Sequence, residues 1–142
     1  ADQYPNFTVF KCNSFSYIAY HCGHINATGI TSIPDCSRAI ETFYDLVNLP
    51  NVYSDFVIDN ITASGSFEKK LSLSRLISVC NDTFLVSYNF DRFAGVCCHV
   101  EKCGTIMMFS TGKYSIIGCR SLEQVEKIFS LMKNNLQEHG FL

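Results

Sequence analysis

Two stretches of this 142-residue chain repeat each other at a fixed distance, and that repeat constrains the fold more than any other feature. Residues 18–29 (IAYHCGHINATG) and 107–118 (MMFSTGKYSIIG) share one pattern: an aromatic, two small or polar residues, glycine, five residues, glycine. The offset is 89 at both glycines, Gly23 to Gly112 and Gly29 to Gly118. It continues without a gap, placing Ser32 on Ser121, Cys36 on Val125, Ala39 on Ile128, Ile40 on Phe129 and Phe43 on Met132. Chance rarely sustains one register across two structural elements, so the chain holds two copies of one unit.

Each copy has a simple physical reading. The residues before the first glycine alternate at period two and are β-rich, which predicts a strand. The glycine permits a tight hairpin turn, and a second short strand runs to the next glycine. A helix follows. In the second copy Ser121 and Gln124 form a capping box, and Leu122, Val125, Phe129, Met132 and Leu136 make one apolar stripe. In the first copy Ser32 is the expected cap and Pro34 sits in the first turn. There Cys36, Ala39, Ile40, Phe43 and Val47 form the stripe, and Asn48 and Pro50 end the helix.

Material seen once separates the copies. Residues 56–63 are β-branched and read as a strand closed by Ser64-Gly65-Ser66, and residues 68–80 place Leu73, Leu76, Ile77 and Cys80 on one helical face. Phe93 to Val100 reads as a strand, with Glu101-Lys102-Cys103-Gly104 as the turn to the next. The expected order over residues 54–142 is strand, helix, three antiparallel strands, helix. The first copy starts at what should be its second strand (Phe7-Thr8-Val9-Phe10), so residues 1–53 read as a partial repeat and 54–142 as a complete one.

Composition excludes several classes. The 47% hydrophobic content and dispersed charges exclude disorder. No run approaches the roughly 20 apolar residues that span a bilayer. Ala1 to Pro5 lack the basic and apolar regions of a signal peptide, which a mature secreted chain would have lost. A net charge of −2, with no basic cluster beyond Lys69-Lys70, argues against indiscriminate nucleic-acid binding. The eight cysteines and the sequons at Asn6, Asn26, Asn60 and Asn81 fit a disulfide-bonded glycoprotein. The same cysteines also fall where buried apolar residues would serve, and both readings stay open. Cys97-Cys98-His99 and Cys103 resemble metal-ligand spacing, but adjacent strand residues point to opposite faces, so no metal site is expected. His21, His24 and His139 have no nucleophile or carboxylate motif beside them, so no catalytic site or cofactor is expected either.

A set of motifs in one order resembles the TATA-box-binding protein family. Met108-Phe109-Ser110-Thr111-Gly112-Lys113 followed by Ile117-Gly118 is similar to that family's aliphatic, Phe, two small residues, Gly, Lys and Thr-Gly. Tyr88-Asn89-Phe90-Asp91-Arg92-Phe93 resembles its Tyr-Asn-Pro-Lys-Arg-Phe, and Asp59-Asn60-Ile61-Thr62-Ala63 its Gln-Asn-Ile-Val-Ala. The resemblance implies an α+β saddle: a curved antiparallel sheet with helices on the convex face, built as a tandem pseudo-repeat. It also implies a transcription initiation factor that binds A·T-rich double-stranded DNA in the minor groove and bends it by phenylalanine insertion, at the nucleus or another site of transcription.

By that resemblance Phe93 and Phe109 are the wedge pair of the second repeat, and Phe7 and Tyr20 the weaker pair of the first. Asn60, with Thr62, would lie near the centre of the groove, and Asn26, Thr28, Met107, Ser115 and Ile117 would line it. Arg92, Lys113 and Lys102 would touch phosphates, which position without specifying. A transcription factor IIB-like adaptor, and through it RNA polymerase, would grip the turn Glu101, Lys102, Cys103 and Gly104. No membrane or small-molecule partner is implied. Asp91 in place of a basic residue, Tyr20 in place of a phenylalanine, and polar Asn26 and Ser115 predict a weaker grip. Two alternatives follow: an interaction module on this fold that has lost DNA binding, and the secreted glycoprotein.

Overall fold

The computed structural model describes residues 6–50, 56–81, 83–88 and 94–142. The chain divides into two compact units, Ala1–Val57 and Ile58–Leu142. In the first unit, strands β1 (Phe7–Cys12), β2 (Phe15–Tyr20) and β3 (Ile25–Thr28) form an antiparallel sheet in that order, followed by helix α1 (Asp35–Leu46). Alternation along β2 buries Phe15 and Tyr17, which pack with Ala39 and Phe43 of α1. The Phe43 ring centroid lies 5.3 Å from that of Tyr17 and 6.2 Å from that of Phe10. The Tyr17 hydroxyl donates to the Ala39 carbonyl at 2.6 Å, satisfying the one polar atom that this aromatic brings inside.

The second unit runs β4 (Ile61–Ser66), α2 (Leu73–Cys80), β5 (Leu85–Tyr88), β6 (Gly95–Val100), β7 (Gly104–Phe109), β8 (Lys113–Cys119) and α3 (Leu122–Glu138). Its antiparallel sheet has the order β4-β8-β7-β6-β5. Both helices cover one face, where Val96, Cys98, Ile106, Met108 and Ile116 meet Leu76, Ile128, Met132 and Leu136. Asn135 is buried among them, and its Nδ2 donates to Thr83 Oγ1 at 3.1 Å. The fold class is therefore α+β, with antiparallel sheets backed by helices. Shifting the first unit by 89 residues lays β2 over β7 end for end and β3 inside β8.

Several expected boundaries move. The strand expected at 56–63 is β4, Ile61–Ser66, and Ser64-Gly65-Ser66 belong to it rather than closing it. Gly65 pairs with Tyr114, and an added Cβ would stand 2.5 Å from the Tyr114 hydroxyl, so this glycine permits a close approach rather than a turn. The helix expected from 68 starts at Leu73, where Ser72 Oγ accepts from the Arg75 amide. A fifth strand of this sheet, β5, was not expected; it is a short edge strand whose Leu85 is 75% exposed. In α1 the expected Ser32 side-chain cap is not made, and the helix starts at Asp35 with Pro34 as its N-cap residue.

All eight cysteines are free thiols, five of them buried, so the expectation of a disulfide framework gives way to the apolar one. A hydrogen bond with Cys80, together with burial, pushes the Cys98 thiol up. Burial, reinforced by Cys103, does the same to Cys119. These groups stay neutral and pack as small hydrophobes.

Candidate functional site

Each sheet has one face turned away from the helix or helices that back it. In the first sheet the register places Phe7 opposite Tyr20, Val9 opposite Ile18 and Lys11 opposite Ser16. Ile18 then faces Asn26, and Ser16 faces Thr28. These side chains alternate with the core set Phe10, Cys12, Phe15 and Tyr17, so they occupy the open face. The expected site residues Phe7, Tyr20, Asn26 and Thr28 all lie there. The Phe7 and Tyr20 ring centroids are 6.1 Å apart, and Tyr20 lies 5.9 Å from the His24 ring. His24 Nε2 and Asn26 Oδ1 are 3.0 Å apart.

In the second sheet Met107 faces Ser115 and Thr105 faces Ile117 on adjacent strands. Phe109 pairs across the sheet with Gly95. It lines a shallow depression with Ser66, Ala94, Lys113 and Ser115. Asn60 precedes β4; its Oδ1 accepts from the Gly118 amide at 3.0 Å, and its Nδ2 donates to Thr62 Oγ1 at 3.3 Å. Asn60 is thus fixed against the end of β8 by its own side chain, beside Ile117. Arg92 and Phe93 lie outside the described residues.

The four residues expected to meet a partner lie at the hairpin between β6 and β7. Glu101 and Lys102 are exposed, with Lys102 at a φ of 62°. Cys103 is buried in the core and Gly104 is half-buried at the start of β7, so the Cys103 thiol is not presented outward. The Lys102 carbonyl accepts from Gln124 Nε2 at 3.1 Å, which ties the hairpin to the first turn of α3.

The electrostatics follow from composition. Among the described residues none of the eight strands carries an aspartate or glutamate, and their only lysines, Lys11 and Lys113, stand on the open faces. Apolar groups, hydroxyls and amides dominate both faces. Such a surface suits a partner with a flat apolar wall and hydrogen-bond acceptors, and it repels no anion at close range. Cys97 stands on the open face of β6, where burial raises its thiol, while Cys98 points to the core. Among the described residues no three His, Cys, Asp or Glu side chains gather to hold a metal ion.

Sequence reasoning passed over two features of these faces. Lys11 is one, although the alternation of Phe7 to Cys12 was enough to find it. The other is a polar row in which His99 joins Ser87 and Thr105, and it depends on β5, which has no sequence signal of its own.

Residues 55–139 match the family described as transcription factor TFIID, or TATA-binding protein. The TATA-box-binding protein of Pyrococcus furiosus is 27% identical over 84 residues, covering 58% of this chain and 42% of that protein. That of Thermococcus celer is 30% identical over 84 residues, again 58% of this chain and 43% of the other. The chain therefore aligns with less than half the length of these curated relatives. The solved structure of the Methanococcus jannaschii TBP superposes with a TM-score of 0.72 at 18% identity, over 87% of this chain and 72% of that one. At that identity the likeness speaks to the fold.

Proposed function

This chain belongs to the TATA-binding protein family, and on that premise we propose that it binds A·T-rich double-stranded DNA in the minor groove through its open sheet faces. The family's proteins are not enzymes, and the function in general is TATA-binding-protein-like. The observation that carries the reading is the helix-averted face, free of strand carboxylates among the described residues, on which Met107, Phe109, Ser115 and Ile117 stand together.

Phe109, with Phe93, acts as the wedge. An apolar ring entering a base step costs a few kcal/mol of unstacking, which the longer contact along the bent duplex offsets. Phe7 and Tyr20 serve as the second, more polar wedge. Asn60 spends one amide hydrogen on Thr62 and keeps another for adenine N3 or thymine O2, the acceptors that the minor groove offers at A·T pairs. Asn26, Thr28 and Thr62 line the groove, while Arg92, Lys102 and Lys113 position the backbone.

Glu101, Lys102 and Gly104 form the grip for a transcription factor IIB-like adaptor that recruits RNA polymerase, with the buried Cys103 shaping the turn from within. The protein acts where transcription occurs; the relatives named above come from archaea. A second reading, an interaction module on the same fold that no longer binds DNA, is favoured by one observation: the strands bring only Lys11 and Lys113 to the open faces.

Fluorescence anisotropy with A·T-rich and G·C-rich duplexes tests the proposal. Phe109→Ala and Phe93→Ala should each weaken A·T-rich binding by about tenfold or more and reduce the bend seen by end-to-end energy transfer. Parent and variants binding alike would remove the wedge mechanism, and absence of binding by the parent would favour the interaction module.

A further inference from the structure

Three side chains form one row on the open face of the second sheet, across β5, β6 and β7. Ser87 Oγ lies 3.0 Å from His99 Nε2, and Thr105 Oγ1 lies 2.8 Å from His99 Nδ1. The interface proposed above gives this row no role. A neutral imidazole has one donor and one acceptor nitrogen, so one of the two hydroxyls must spend its hydrogen on the ring. An imidazolium donates from both nitrogens. Both hydroxyls then accept from the ring and turn their own O–H bonds outward. Protonation thereby converts the row into a positive centre flanked by two outward donors, with hydroxyl rotation the only change required.

We propose that protonation of His99 turns this row into a phosphate contact, with the Ser87 and Thr105 hydroxyls donating to a backbone phosphate of the bound duplex beside the imidazolium charge, which makes the DNA affinity of this chain dependent on pH. The proposal rests on the reading of the open faces as a DNA interface and adds to it a residue and a proton. Histidine is the side chain whose charge ordinarily changes between pH 5 and 8, and hydrogen bonds to an ionised phosphate are short and strong.

The surroundings favour an anion. β5 and β7 bring no ionisable group to this face beside His99, only Leu85, Ser87, Thr105 and Met107. Cys97, two residues along β6, is a thiol that burial keeps neutral. Glu101, Lys102 and Arg120 line the same shallow cleft as His99, together with the buried Cys103, so among the described residues two cations stand there against one carboxylate before His99 is charged. α3 contributes Gln124 and Leu131 to that cleft, neither ionisable. From α2, Cys80 meets Cys98 on the opposite face of β6.

The test is an anisotropy titration of the full chain with an A·T-rich duplex at constant ionic strength, at about pH 8 and about pH 5.5. The parent should tighten by about threefold to tenfold on acidification, and the slope of log affinity against log salt should steepen by about 0.9, one phosphate contact. His99→Gln, which keeps hydrogen-bonding atoms but no titrating charge, should lose both effects. His99→Arg should hold the tighter affinity at both pH values. Binding by His99→Gln that still tightens as the parent does would overturn the His99 proposal, assign the effect to another group such as His24, and leave the DNA interface standing. No binding by any form at either pH would overturn the DNA interface and this proposal together.

Discussion

Gly23 and Gly112 occupy the same point of the repeat, with φ of 92° and 90°, yet an added methyl group would meet nothing within 4 Å at Gly23 and the Lys69 backbone at Gly112. The turn is the same; its surroundings are not. In the second unit the chain between β4 and α2 passes over this turn, with the Phe67 amide donating to the Gly112 carbonyl at 2.9 Å. The first unit has no described counterpart of β4, α2 or β5. Among the described residues its contiguous core cluster has four buried members, Phe15, Tyr17, Ala39 and Phe43, against fifteen in the second unit. A repeat thus conserves a local plan while the two copies differ in how much apolar surface they remove from water.

The hairpins differ as well. Cys12 pairs directly with Phe15 across a two-residue turn, whereas Val100 and Gly104 enclose three residues. One residue fewer shifts β1 against its counterpart, so Phe7 faces Tyr20 where Gly95 faces Phe109. The register therefore sets one aromatic opposite another in the first sheet and a glycine opposite a phenylalanine in the second.

The contrast in cores can be broken by substitution. Phe43→Ala removes the ring that Phe10, Tyr17 and Tyr44 all touch, at a cost of about 3–5 kcal/mol. A core of four residues has little to spare, so hydrogen exchange should show amide protection lost through β1, β2, β3 and α1 while the second unit keeps its protection. Equal loss in both units would mean that they fold as one cooperative body.

The glycine pair sharpens the comparison. Gly23→Ala should cost about 1–2 kcal/mol, the strain of a left-handed residue with free space around it. Gly112→Ala adds displacement of the Lys69 backbone and should cost about 1–3 kcal/mol more, read as the difference in denaturation midpoints. Matching costs would show that the passing segment yields freely.

The smallest effect concerns pH. Burial, aided by Cys12, raises the Tyr17 phenol above its ordinary 10.0. Its contribution is complete below about pH 10 and falls as pH rises toward the higher folded value, because the unfolded phenol ionises first. Tyr17→Phe should lower stability by about 0.5–1.5 kcal/mol near neutrality, through loss of the bond to Ala39, and should flatten the alkaline decline of the first unit. A decline of the same steepness in Tyr17→Phe would assign it to other groups.

Much of the fold was legible because period and spacing are local. Val96, Cys98, Ile106, Met108 and Ile116 could be assigned to the helix side from alternation alone. The start of α3 was legible from Ser121 and Gln124: Ser121 Oγ accepts from the Gln124 amide at 3.2 Å, while Gln124 Oε1 accepts from the Arg120 amide at 2.7 Å. Harder to read was anything set by a distant neighbour. Ser64-Gly65-Ser66 looks like a turn until Tyr114 is seen to need the space beside Gly65. Ser32 looks like a cap, but the chain enters α1 through Pro34.

By itself, then, the sequence determined the duplication, the alternating faces, the helix stripes and the family, because each is written in residues a few positions apart or in one constant offset. Tertiary structure alone decided the edge strand β5, the burial of Cys103, the one-residue shift of the first hairpin and the meeting of Ser87, His99 and Thr105. Those depend on which strands lie side by side, and backbone hydrogen bonding between strands places no demand on the distance separating them along the chain.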